Sequence, residues 1–141
     1  MNNYTKCITA KVENLIEAND FVGECADSCA LPDKKKFGLE LAFEEAFINI
    51  CSHAYPAGEG DAEISCTCDG EAFVLEIADF GIPFDVLSLP DPDITVDIMD
   101  RQIGGLGIHF IRTMTDSVSY RRENDRNILR MVFQLTRDNI P

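Results

Sequence analysis

The chain has 141 residues, 45% of them hydrophobic and 26% charged, which fits one folded domain and excludes disordered, collagen-like and fibrous chains. Surface scaling at this size lets folding bury about two-thirds of the unfolded chain's surface, enough for a core that needs no staples. Lys+Arg 12 against Asp+Glu 25 gives a net charge of −13, a sign that opposes a phosphate backbone or an anionic bilayer, so no direct nucleic-acid or membrane partner is expected.

From the N-terminus, residues 4–10 read as a short strand. A helix is predicted over 13–30, where Val12, Leu15, Ile16, Phe21, Val22, Cys25 and Cys29 recur at spacings a helix gathers on one side, and Leu31-Pro32-Asp33 stops it. A second helix is predicted over 34–54 and ends at Tyr55-Pro56-Ala57-Gly58. Residues 62–68 and 72–78 form two strand-like runs joined at Asp69-Gly70, a pair suited to the positive φ angles of a tight hairpin turn. From residue 80 to 107 periodicity gives way to Gly81, Pro83, Pro90, Pro92, Gly104, Gly105 and Gly107, a segment too long for an ordinary connector and therefore expected to be functional. Residues 106–114 read as a helix opened by glycines, and 117–122 and 128–136 as strands around Glu123-Asn124-Asp125-Arg126. This order predicts a single domain over 1–141 of the α+β class: a two-layer sandwich whose mixed, mostly antiparallel sheet carries its helices on one face.

No apolar run reaches the length a membrane helix needs, and Met1-Asn2-Asn3-Tyr4-Thr5-Lys6 lacks the apolar core of a signal peptide, so a cytoplasmic location is expected. Cys25 and Cys29 sit four apart in a helical pattern, and Cys66 and Cys68 share one face of a strand. The cysteines are accordingly expected to be small, reduced core residues. His53 and His109 complete no Cys/His spacing suited to zinc.

Three features carry chemistry. In the second helix Phe43, Ala46, Phe47, Ile50 and Ala54 project to one side, while Glu45 and Asn49, four apart, bring a carboxylate and an amide oxygen together on the opposite face. At the end of a strand, Asp79-Phe80-Gly81-Ile82-Pro83-Phe84-Asp85 delivers an acid to a sheet edge, where a carboxylate accepts from an exocyclic amine and a glycine admits close approach. Finally, Gly104-Gly105-Leu106-Gly107-Ile108 opens a helix whose N–H groups and dipole suit phosphates.

In this order, the three features resemble the N box and the two glycine boxes of the GHKL ATPase superfamily, and most closely its bacterial serine-kinase anti-sigma factors. The match runs from Glu45-Ala46-Phe47-Ile48-Asn49 through His53-Ala54-Tyr55, to Asp79-x-Gly81-x-Pro83-Phe84-Asp85, and on to Gly104-Gly105-Leu106-Gly107-Ile108-His109-Phe110-Ile111-Arg112 and Met114-x-Asp116. The resemblance implies a Bergerat-type ATP site in which Asn49 binds Mg²⁺ and Asp79 receives the adenine amino group. It further implies that Glu45 is the general base for a serine or threonine hydroxyl, that Gly81 lets the base pass, and that Gly105, Leu106 and Gly107 line the phosphate lid. The partners it implies are a sigma factor and a STAS-domain antagonist, with the chain itself a homodimer. Two positions depart from the family pattern. Ile103 stands where a cation is common, with Arg101 further back, and the last strand reads Asn127-Ile128-Leu129 where a hydroxyl residue is usual near the adenine. These departures keep open a non-catalytic nucleotide-dependent anti-sigma binding module. A detached histidine-kinase-type catalytic domain shares the same boxes.

Overall fold

The computed structural model describes residues 2–88 and 105–135. Its elements are β1 (Asn2–Thr9), α1 (Leu15–Ser28), α2 (Asp33–His53), β2 (Asp61–Cys68), β3 (Ala72–Asp79), α3 (Gly105–Met114), β4 (Ser117–Glu123) and β5 (Arg126–Gln134). One-turn 3-10 segments at Val12–Asn14 and Val86–Ser88 link them. The five strands form one sheet in the order β1-β2-β3-β5-β4. Every neighbouring pair is antiparallel, so the mixed sheet expected from the element order is replaced, among the described strands, by a wholly antiparallel one. β2–β3 and β4–β5 are hairpins and β1 reaches its neighbour β2 through α1 and α2, while the crossover from β3 through α3 to β4 joins two parallel strands that never pair, because β5 lies between them.

Alternation places the core on one face. In β2 the buried positions are Ala62, Ile64, Cys66 and Cys68, and in β3 they include Phe73, Leu75 and Ile77, the period of two that a half-covered sheet demands. Helix α2 lies across this face, burying Leu39, Ala42, Phe43, Ala46, Phe47 and Ile50, while Leu41 and Ile48 on its other side are half-buried. In α1 the buried stripe is Ala18, Val22, Cys25 and Ala26, and here the sequence reading is corrected. Val12 and Ile16 are 60% and 75% exposed, because at 100° per residue Ile16 lies about half a turn round the helix from Cys25.

Both hairpin turns use positive φ, which the sequence leads one to expect only at Asp69-Gly70. Gly70 has φ 94°, and Asn124 and Asp125 have 53° and 61°, the pair of left-handed residues that a two-residue I′ turn requires. Asp69 braces the first turn by accepting backbone N–H bonds from Glu71 and Ala72 at 2.9 and 3.1 Å. Those bonds hold its carboxyl below the usual range.

The second correction concerns the cysteines. Cys29 and Cys68 form a disulfide, while Cys7, Cys25, Cys51 and Cys66 are thiols. The expectation of six reduced residues rested on spacing within one helix and one strand. The end of α1 packs over the end of β2, with the two Cα atoms 6.1 Å apart, well placed for a bridge. The bond closes a separation of 39 residues, so in the chain-entropy picture reduction should cost about 2–4 kcal/mol. A thermal melt with and without dithiothreitol checks this, and an unchanged midpoint contradicts it. Among the described residues no group of His, Cys, Asp and Glu is arranged to hold a metal, and no helix is long and apolar enough to cross a membrane.

The uncovered face of the sheet is polar. Glu76 takes hydrogen bonds from Arg121 at 3.0 Å and Arg130 at 3.2 Å. Burial alone would raise its pKa, but the two guanidiniums together outweigh burial and hold it below 4.5. A depressed carboxylate pKa stabilises the fold above the unfolded value, and that contribution is lost as pH falls through the folded one. Exposure limits it to roughly 0–1 kcal/mol. Glu76→Gln should therefore lower the melting midpoint slightly at pH 7 and not at all in strong acid.

Candidate functional site

The site forms where α2 crosses the C-terminal end of β3. Antiparallel register sets Asp79, the last residue of β3, directly opposite Asn127 of β5. Between sheet and helix lies a cavity lined by Ala46, Asn49, Ile50 and Ala54 of α2, Ile77 and Asp79 of β3, Phe84 and Val86 of the following segment, Tyr120 of β4, and Asn127 and Leu129 of β5. The walls are mostly apolar, with Asp79, Asn127, Asn49 and Tyr120 as the polar groups. A mostly apolar lining with a few fixed polar atoms is the ordinary make-up of a small-molecule site.

Asp79 and Asn127 are the buried polar residues among those described, 5% and 6% exposed. Both are hydrogen-bonded, as burial of polar groups demands. Asp79 Oδ1 accepts from the Gly81 backbone N–H and from Asn127 Nδ2, both at 2.9 Å. Asn127 Nδ2 also donates to the Ile82 carbonyl at 2.7 Å, and Asn127 Oδ1 accepts from the Phe84 N–H at 3.1 Å and the Tyr120 hydroxyl at 2.5 Å. Arg122 donates to the Gly81 carbonyl at 2.9 Å. Together these bonds bind the 79–84 segment to β4 and β5.

Gly81 has its own steric cause. A Cβ there would run into the backbone of Ala54, just past the end of α2, where the Ile82 N–H donates to the Ala54 carbonyl at 3.0 Å. The glycine lets the strand end and the helix end touch, which sets the floor of the cavity. Tyr55 pins the same corner, donating to the Asp61 carbonyl at 2.6 Å and accepting the Phe80 N–H at 2.8 Å.

The predicted site residues divide into three groups. Asn49 and Asp79 share the cavity, with Gly81 bonded to Asp79. Glu45 is not one of its lining residues. It lies one helical turn from Asn49 on the same side of α2, half-buried, and the two are linked because Asn49 Nδ2 donates to the Glu45 carbonyl at 2.9 Å. Burial raises the Glu45 carboxyl above its usual 4.5, and the neighbouring Glu44 charge adds to the rise. Gly105, Leu106 and Gly107 form the first turn of α3. Gly104, with Arg101 and Ile103, lies outside the described residues. On the same strip as Glu45 and Asn49, His53 ends α2 and sets its ring 5.3 Å from that of Phe84.

Asn127 and Tyr120 are the site residues that sequence reasoning passed over. The one visible signal was an amide at the head of an apolar strand run, Asn127-Ile128-Leu129. Its meaning depends on the β3–β5 register, which no local pattern states.

For a metal in the cavity, Asn49 is the α2 lining residue that offers a side-chain oxygen. Since Asn49 Nδ2 is committed to the Glu45 carbonyl, Oδ1 is the Asn49 atom left for the cavity. A side-chain oxygen is the right donor for a hard cation, and one protein ligand suits Mg²⁺ held mainly by phosphates and water. The arrangement therefore fits a metal carried in by its ligand.

Comparison with known proteins agrees over most of the chain. The family model described as a histidine kinase-like ATPase domain matches residues 8–133. The serine/threonine-protein kinase BtrW of Bordetella bronchiseptica is 32% identical over 95 residues, covering 67% of this chain and 67% of that protein. The serine-protein kinase RsbW of Bacillus cereus strain AH187 is 26% identical over 95 residues. This match takes in 64% of this chain but only 59% of RsbW, so the chain aligns with little more than half of that relative.

Proposed function

The chain belongs to the family of histidine kinase-like ATPase domains, and from that premise we propose that it is an ATP- and Mg²⁺-dependent protein-serine/threonine kinase. In this reading it acts as an anti-sigma factor in the cytoplasm as a homodimer, holding a sigma factor and phosphorylating a STAS-domain antagonist. The observation that carries the nucleotide reading is the buried Asp79 carboxylate at the head of an apolar slot, with Oδ1 occupied by Gly81 and Asn127 and no partner on Oδ2 among the described residues. An acceptor-only atom at the end of such a slot suits a ring bearing an exocyclic amine.

The residues divide the work by position. The apolar walls, Ile50, Ile77, Val86 and Leu129 among them, exclude water and hold a planar base. Asp79 orients it. Asn49 Oδ1 would hold the metal, and the first-turn N–H groups of α3, at Gly105, Leu106 and Gly107, lie at a helix end whose dipole favours phosphate oxygens. Bound Mg²⁺ would offset charge on the phosphates. Glu45 takes the proton of the acceptor hydroxyl as the acceptor oxygen bonds to the γ-phosphorus and the bond from that phosphorus to the β–γ bridging oxygen breaks, releasing ADP. Its raised pKa makes it a better base than an exposed carboxylate. Phosphoryl transfer depends on positioning and electrostatics more than on covalent help, so one small domain suffices.

The test is incubation with γ-labelled ATP, Mg²⁺ and the cognate antagonist. Label in acid-stable, hydroxyl-linked form supports this reading. Acid-labile label points to a histidine acceptor, and nucleotide binding with no label identifies a binding module instead.

A further inference from the structure

Asn127 makes four hydrogen bonds, and each has a fixed direction. The Phe84 N–H can only donate and the Ile82 carbonyl can only accept, so the amide's orientation is settled by its partners rather than by convention. With two bonds on each polar atom, counting those to Asp79 and Tyr120, Asn127 has no capacity left for a ligand. It sits in the cavity wall as a buckle between three strands, holding the lining residues Phe84 and Tyr120 as well as Asp79, and of these Asp79 is the one whose acceptor meets the base.

We propose that Asn127 is a specificity-determining positioning residue: by joining the Gly81 N–H on Oδ1 of Asp79 it fixes the carboxylate from a second direction, leaves Oδ2 as the single acceptor turned to the base, and so enforces choice of a 6-amino over a 6-oxo purine. This rests on the nucleotide reading of the cavity. An aspartate held by one bonded oxygen cannot rotate to share its lone pairs between two contacts, and a 6-oxo group brought to Oδ2 sets acceptor against acceptor. Loosening Asn127 lets Asp79 turn away, and the two purines then become alike.

Two nucleotides, ADP and IDP with Mg²⁺, serve as probes, with affinities measured by calorimetry. The native chain should prefer ADP by about tenfold to 10²-fold. Asn127→Asp keeps the shape but places two carboxylates where one amide bond was, so one of them must hold a proton to restore the contact. The charged and titratable groups facing that pair are Tyr120 from β4, Tyr55 just past α2, whose hydroxyl feels the Asp79 charge, and, through the Gly81 carbonyl, Arg122. The preference of Asn127→Asp for ADP should collapse towards unity at pH 8 and recover at pH 5.5, while that of the native chain stays flat. A merely structural role moves both affinities together and leaves their ratio intact.

If the native chain discriminates and Asn127→Asp does so equally at both pH values, or loses both ligands in parallel, the proposal is overturned and the site reading stands. If the native chain binds neither nucleotide, or binds both alike, the site reading itself fails. Should Asn127→Asp not fold, Tyr120→Phe removes one of the two donors to Asn127 Oδ1, and the ADP preference should fall several-fold. An unchanged ratio there overturns the proposal equally.

Discussion

Glu45→Gln is expected to lower phosphoryl transfer to the antagonist by about 10²–10⁴-fold, the usual contribution of a positioned general base, and to leave ADP affinity nearly unchanged. The separation follows from geometry. Glu45 lies one turn from Asn49 and outside the cavity lining, so the amide replacement deletes a proton acceptor without touching the walls that hold the base. The link to Asn49 survives as well, because it uses the Glu45 backbone carbonyl. Stability should move the other way. A carboxyl whose pKa is raised in the fold disfavours folding when ionised, so the neutral glutamine should raise the melting midpoint at pH 7. Activity lost with stability gained marks a functional residue. Transfer undiminished in this variant would remove Glu45 from the mechanism.

Asp79→Asn is expected to weaken ADP binding by about 10²–10³-fold, because a site built to bond one polar group rejects its mismatch strongly. The replacement amide keeps Oδ1 for Gly81 and Asn127 and puts its NH₂ where the free carboxylate oxygen stood. Donor then meets donor at the exocyclic amine of adenine, whereas the carbonyl of a 6-oxo purine meets a donor. The variant should therefore bind IDP better than ADP. Equal loss of both nucleotides would show that the carboxylate acts through charge or fold and not through base recognition.

Much of this architecture is legible from local patterns. The hairpin at Asp69-Gly70 and the long α2 follow from alternation, helical spacing and Pro/Gly punctuation, and the structure places them within a residue or two of their predicted ends. Asn49 and Asp79 stand out in the sequence through the resemblance rather than through spacing, and the structure brings both to one cavity. The remainder depends on contacts between elements. Cys29 and Cys68 are far apart in sequence and meet only when α1 lies over β2. Ile16 shares the apolar character of its neighbours on α1, but its angle, about half a turn from Cys25, turns it to solvent. Asn127 takes its meaning from a register that pairs it with Asp79 across the sheet, and Gly81 from a helix end it touches. Long-range proximity of this kind is a product of tertiary packing, which leaves no trace in composition or period.

Nuclear magnetic resonance of the ¹⁵N-labelled chain titrated with ADP and Mg²⁺ tests the central claim most directly. The account predicts saturable shifts in the backbone amides of Asp79, Gly81 and Phe84 and the side-chain amides of Asn49 and Asn127, with the Asn49 shift lost when Mg²⁺ is removed. Saturable binding that leaves these five signals in place and moves those of another surface would contradict it.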